Sequence, residues 1–75
     1  MKALSNFSEG ERVEVLEVKA GKGLHTRLAN MGIYPGTVIE VITSSGGGPM
    51  LVAKNGNKVA LGHGMTSKIF VRKAV

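Results

Sequence analysis

The sequence predicts a mainly-β fold: a small barrel of five short strands, with a short helix inserted after the first strand and one helical turn before the last. Three observations carry that prediction. Short β-branched runs recur at close intervals and are punctuated by Gly, Pro and Asn, which is the pattern of a small barrel. Only the stretch Leu24 to Met31 has clear helical spacing. A chain of 75 residues has no second layer with which to cover sheet edges, and closing the sheet removes them.

The elements follow in order. Met1 to Glu11 is a lead-in that ends in the turn Ser8-Glu9-Gly10-Glu11. Arg12 to Val18 is the first strand. Its alternation fails at Leu16, which a bulge or a strand apolar on both faces would explain. Glu14 and Glu17 would lie on opposite faces of a regular strand. Lys19 to Gly23 reads as a flexible loop before the helix. Leu24, Leu28 and Met31 fall at i, i+4 and i+7 and share one helix face. Gly32 follows, where a left-handed C-terminal cap is needed. Pro35-Gly36 turns the chain, Pro fixing φ and Gly allowing positive φ. Thr37 to Thr43 is the second strand, with Val38, Glu40 and Ile42 on one face and Ile39 and Val41 on the other. Ser44 to Gly48 is the loop expected to be loosest. Met50–Lys54 and Lys58–Leu61 flank Asn55-Gly56, the strongest short hairpin signal. Gly62-His63-Gly64 breaks the chain, Met65 to Ser67 suffices for one helical turn, and Lys68 to Arg72 is the last strand. No repeat or linker is evident, so residues 1–75 read as one domain.

Composition narrows the function. Hydrophobic residues make up 43% of the chain, which is ordinary for a folded domain and argues against disorder. There is no cysteine, so neither a disulfide nor a thiolate metal site is available, and cytoplasmic residence is expected. No apolar run approaches the roughly 20 residues that span a bilayer, and the N-terminus lacks a signal-peptide core. The net charge of +5 is uneven. Residues 1–40 hold five basic and five acidic side chains; residues 41–75 hold Lys54, Lys58, Lys68, Arg72 and Lys73 and no acid. Such a face aids solubility, or meets an acidic protein, a headgroup layer or nucleic acid.

The segment RL-x-x-x-G-x-x-P-G followed by an apolar strand resembles the core of the FeoA family, small cytoplasmic proteins of bacterial ferrous iron uptake. Arg27, Leu28, Gly32, Pro35 and Gly36 carry the match. The likeness extends to Leu4 and Gly10 ahead of the first strand, to Pro49-Met50-Leu51-Val52, Asn55-Gly56 and Val59-Ala60-Leu61 in the central hairpin, and to Ile69-Phe70-Val71 in the closing strand. The order and spacing of these motifs, more than any one of them, make the resemblance specific. The chain departs from the family at Met65-Thr66-Ser67, where an Ala or Glu-Ala is usual, and this bears on the surface beside the last strand. The resemblance implies an SH3-like barrel and a non-enzymatic accessory protein. Its implied partner is a membrane ferrous iron permease with a cytoplasmic GTP-binding domain, on which it docks without entering the membrane. Two other readings remain open: a small basic barrel that binds nucleic acid, and a stand-alone module that senses a transition metal.

Individual residues support the accessory reading. Catalysis needs converging titratable groups, and the only acids are Glu9, Glu11, Glu14, Glu17 and Glu40. Iron(II) sites draw on His with carboxylate, but His25 and His63 are far apart and no pair has ligand spacing. No cofactor is expected, and metal contact no stronger than weak. Met31 reads as core, His25 as a solvent-facing helix residue and His63 as a loop histidine. A barrel of this kind also forms the tail of some iron-dependent repressors, but no carboxylate motif here carries over their metal contacts. Gly21-Lys22-Gly23 lacks phosphate-loop spacing. The only aromatics are Phe7, Tyr34 and Phe70, too few for a polyproline groove or a stacking platform for bases. Arg27, Tyr34 and His63 are the candidate partner contacts. Arg27 borders the apolar stripe, from which its guanidinium could reach a helix end, Glu40 or a partner.

Overall fold

The computed structural model describes residues 1–44 and 48–74. Six strands and two helices follow one another: β1 (Lys2–Ala3), a 3-10 turn (Leu4–Asn6), β2 (Arg12–Val18), α1 (Lys22–Asn30), β3 (Val38–Ser44), β4 (Met50–Lys54), β5 (Asn57–Leu61), α2 (His63–Thr66) and β6 (Ile69–Lys73). The strands form one antiparallel sheet in the order β1-β6-β2-β3-β4-β5. The five expected strands are all present, within a residue or so at each end. The sixth, β1, lies in what the sequence presents as a lead-in. It forms because Lys2 and Ala3 pair with Val71 and Phe70, a contact that no local pattern announces. The larger part of the Ser44 to Gly48 loop, residues 45–47, lies outside the described residues.

Alternating side chains of the sheet meet in one core. Val13 and Val15 of β2, Ile39 and Val41 of β3, Val52 of β4, Leu61 of β5 and Ile69 and Val71 of β6 are almost completely excluded from solvent. Leu28 from α1 and Leu4 from the 3-10 turn are fully buried among them, and Leu24 and Met31 pack against the cluster. The amphipathic stripe of the helix therefore faces the barrel, as its spacing predicts.

Two register shifts bend the sheet around that core. One lies between Val15 and Glu17 in β2, at Leu16, where the sequence alternation fails. It changes the parity of the strand. Glu14 and Glu17 consequently share the outer face, opposite Arg72 and Phe70 of β6, instead of lying on opposite faces. The second shift lies between Val41 and Thr43 in β3. At the hairpin, Lys54 pairs with Asn57, so Asn55 and Gly56 alone form the loop. Their φ values of +50° and +84° are those of a type I′ turn, whose twist matches the flanking strands.

Two local assignments change. α1 begins at Lys22, so Lys22 and Gly23 belong to the helix and not to the loop before it. Extended Gly21 serves as N-cap, and its carbonyl accepts from the Leu24 N–H at 3.2 Å and the His25 N–H at 3.3 Å. α2 begins at His63, so this histidine opens a helical turn. Thr66 closes that turn by donating its hydroxyl to the His63 carbonyl at 3.2 Å.

Candidate functional site

The corner between α1 and β3 organises the most distinctive surface. Gly32 has φ +79° and follows the C-cap Met31. Its N–H donates to the Ala29 carbonyl at 2.9 Å, and the Ile33 N–H donates to Leu28 at 2.8 Å. This is a Schellman motif, complete with the apolar contact between the residue after the glycine and the last turn: Ile33 and Leu28 are both buried. Pro35-Gly36 then makes a turn closed by the Thr37 N–H on the Tyr34 carbonyl at 3.0 Å, with Gly36 at φ +96°, a type II arrangement. Thr37 clamps the corner. Its buried hydroxyl accepts from the Tyr34 N–H at 3.3 Å and donates to the Gly32 carbonyl at 3.4 Å. The corner is also bound to β2: the Gly36 N–H donates to Val15, and the Val15 N–H to Thr37, both at 2.8 Å.

That rigid backbone holds Tyr34 out into solvent. Tyr34 is 53% exposed and Val38 40% exposed. Both line an open cleft of about 370 Å³, with Tyr34 to Val38 along one wall and Lys54 and Asn55 along the other. Lys54 lies at the tip of β4. A Cβ placed on Gly32 would stand 2.7 Å from its Nζ and 3.4 Å from its Cε, so the lysine stem lies over the glycine. The ammonium stands 5.9 Å from the centre of the Tyr34 ring, within cation–π range, and next to the carbonyl end of α1, where a cation is favoured.

The other cations divide into two groups. Arg72 of β6 donates to Glu14 Oε1 of β2 through Nε at 3.1 Å and Nη2 at 3.0 Å, and Lys73 approaches Glu11 at 3.6 Å. Two cations of the last strand are thus paired with Glu14 of β2 and with Glu11 just before it. Among the described residues these are the only ion pairs, so Lys54, Lys58 and Lys68 have no carboxylate partner. Lys19 stacks over Phe70 at 4.8 Å; Phe70 is the outward-facing member of Ile69-Phe70-Val71, its neighbours being buried.

The candidate contact residues do not converge. Tyr34 sits at the cleft beside the Asn55-Gly56 turn, whereas His63 follows Leu61 at the other end of the same hairpin. Arg27 is exposed in the last turn of α1 and makes no ion pair or side-chain hydrogen bond among the described residues; Glu40 does not hold it. No group of three or more His, Asp or Glu side chains able to hold a metal occurs among the described residues. Sequence reasoning missed Thr37 and Lys54. Thr37 carried a usable signal, a hydroxyl placed directly after Pro-Gly and five residues beyond the capping glycine. Lys54 carried none, since its approach to Tyr34 depends on how the hairpin folds back.

A family model described as the FeoA domain matches residues 2–73. The chain belongs to the FeoA family. A protein of Methanocaldococcus jannaschii designated a candidate Fe(2+) transport protein A is 38% identical over 74 residues, covering 99% of this chain and 89% of that protein. A crystal structure of an iron uptake regulatory protein, FeoA, superposes with a TM-score of 0.90 at 30% identity, covering 96% of each chain. The SH3-like fold implied by the resemblance is therefore the observed one. It recurs in a manganese-dependent transcriptional repressor, with a TM-score of 0.88 and 21% identity over 97% of this chain and 41% of the repressor. At that identity the likeness is one of fold alone, and the repressor's metal chemistry does not transfer to this FeoA-family chain.

Proposed function

We propose that this chain is a non-enzymatic accessory protein of ferrous iron uptake that acts in the cytoplasm by docking on a membrane iron permease with a GTP-binding domain. The observation that carries the reading is family membership over almost the whole chain, with relatives designated for Fe(2+) transport and iron uptake regulation. Two features are consistent with action by contact. No helix of the described residues is long and apolar enough to cross a membrane. Among the described residues, the histidines and carboxylates do not gather into a ligand set. A docking protein shifts a partner's equilibrium only by binding one of its states more tightly than another, and that is the mechanism proposed.

Affinity capture on detergent-solubilised membranes of the source cell tests this reading. The permease should be recovered with the tagged chain. Recovery of nucleic acid instead, with an affinity that falls steeply with salt, would replace it with the nucleic-acid reading. Anaerobic calorimetry with Fe(II) should show only weak binding. A stoichiometric, tight signal lost in His25→Ala or His63→Ala would favour a metal-sensing module.

A further inference from the structure

The cleft between the corner and the β4–β5 tip has properties that the fold does not need. Stability would be served by covering Tyr34 and Val38, yet these are two of the three most exposed large apolar side chains among the described residues. They lie four positions apart in the same cleft. The only charged side chain lining that cleft is Lys54, and it has no carboxylate partner, whereas Arg72 and Lys73 each have one. The Lys54 stem lies over Gly32 and its ammonium beside the Tyr34 ring. An aromatic ring, an aliphatic side chain and an unpaired cation form the complement of an apolar side chain next to a carboxylate. Base stacking would call for a platform of several aromatics, and the cleft has only Tyr34.

We propose that the Tyr34–Val38–Lys54 cleft is the docking surface of this chain, and that its occupant is an acidic segment of a partner protein. One carboxylate of that segment meets Lys54, and a neighbouring apolar side chain packs against Tyr34 and Val38. That the partner is the iron permease rests on the accessory reading above; the site and the chemistry of its occupant do not.

The test has two arms. In the first, the isotopically labelled protein is titrated with a synthetic peptide of alternating Glu and Leu, followed by amide NMR. The expected result is shifts concentrated at Gly32, Tyr34, Gly36, Val38, Lys54 and Asn55. The peptide with Gln in place of Glu should bind at least about tenfold more weakly, as should Lys54→Glu with the original peptide. Tyr34→Ala should weaken binding while the melting temperature stays close to the parent's, because the hydrogen bonds at that position come from the backbone. Lys68→Glu, a charge change outside the cleft, should have little effect. Shifts centred elsewhere, equal binding of the Gln peptide, or a poly-dT oligonucleotide that moves the same amides at lower concentration would each overturn the proposal. In the second arm, the purified permease in detergent is titrated with the parent and with Lys54→Glu. If the parent does not bind, the accessory reading fails and the peptide arm still decides the cleft. If both bind equally, the accessory reading stands and the proposed docking surface is wrong.

Discussion

The corner between α1 and β3 and the hairpin between β4 and β5 both turn on glycines with positive φ, but they are held by different forces. At the corner, Gly32 and Gly36 sit inside a chain of short-range hydrogen bonds that runs from Leu28 to Thr37 and is fastened to Val15. Its apolar residues, Leu28 and Ile33, reach the centre of the core. At the hairpin tip, a Cβ added to Gly56 would meet nothing within 4 Å. The tip is specified by turn geometry and by the ladder between β4 and β5. One glycine is a structural joint under load and the other a free bend. The proposed cleft lies between the two, with one rigid wall and one wall supplied by the hairpin.

The largest effect is expected at the centre of the rigid side. Leu28 is fully buried, and Leu28→Ala leaves a cavity beneath the helix. The cost should be about 2–5 kcal/mol, a large part of the roughly 4–11 kcal/mol that typical per-residue stabilities give a chain of this length. Denaturant titration measures it. A midpoint equal to the parent's would mean that α1 does not anchor the corner.

Gly32→Val comes next. The residue is held at φ +79°, where a β-branched side chain is strained, and the new side chain must push the Lys54 ammonium aside. The expected loss is about 1–3 kcal/mol. On thermal melting, each kcal/mol should appear as a drop of roughly 4–8 °C. A change of less than 1 °C would show that the cap carries no load.

Thr37→Val keeps the shape and removes the hydroxyl, leaving the Tyr34 N–H and the Gly32 carbonyl without that partner. Both bonds are long, so the loss should lie near the low end of the range for an unsatisfied buried group, about 1 kcal/mol. Amide exchange at Tyr34 should quicken as well. Unchanged exchange there would mean that the hydroxyl merely fills space.

Local determinants explain why the corner was legible in sequence and parts of the sheet were not. The apolar spacing of Leu24, Leu28 and Met31, the stop at Gly32 and the Pro35-Gly36 turn lie within 13 residues, and each acts on its immediate neighbours. Asn55-Gly56 is equally local. The bulge at Leu16 was visible as a broken alternation. By contrast, β1 exists only because Lys2 and Ala3 find Val71 and Phe70 at the other end of the chain. The pairing of Glu14 with Arg72 likewise joins residues 58 positions apart, and the parity change that puts Glu17 on the same face follows from the bulge. The candidate site was half legible. Tyr34 was singled out, but its cleft depends on Lys54, which arrives through the fold. Arg27 and His63 had plausible chemistry in sequence, and the fold places neither in that cleft.

The most local effect should come from the free bend, similar in size to that of Thr37→Val, and it tests the contrast most directly. Gly56 has φ +84°, so Gly56→Ala incurs the left-handed backbone penalty of about 1 kcal/mol. No steric term adds to it, because the space around the new Cβ is open. The loss should also stay local: hydrogen exchange should quicken across β4 and β5 and remain unchanged at Ile33 and Gly36, whose amides are bonded to Leu28 and Val15. If Gly56→Ala costs as much as Gly32→Val, or if the corner amides lose protection with it, then the hairpin helps to hold the corner. Both walls of the cleft would in that case move as one unit.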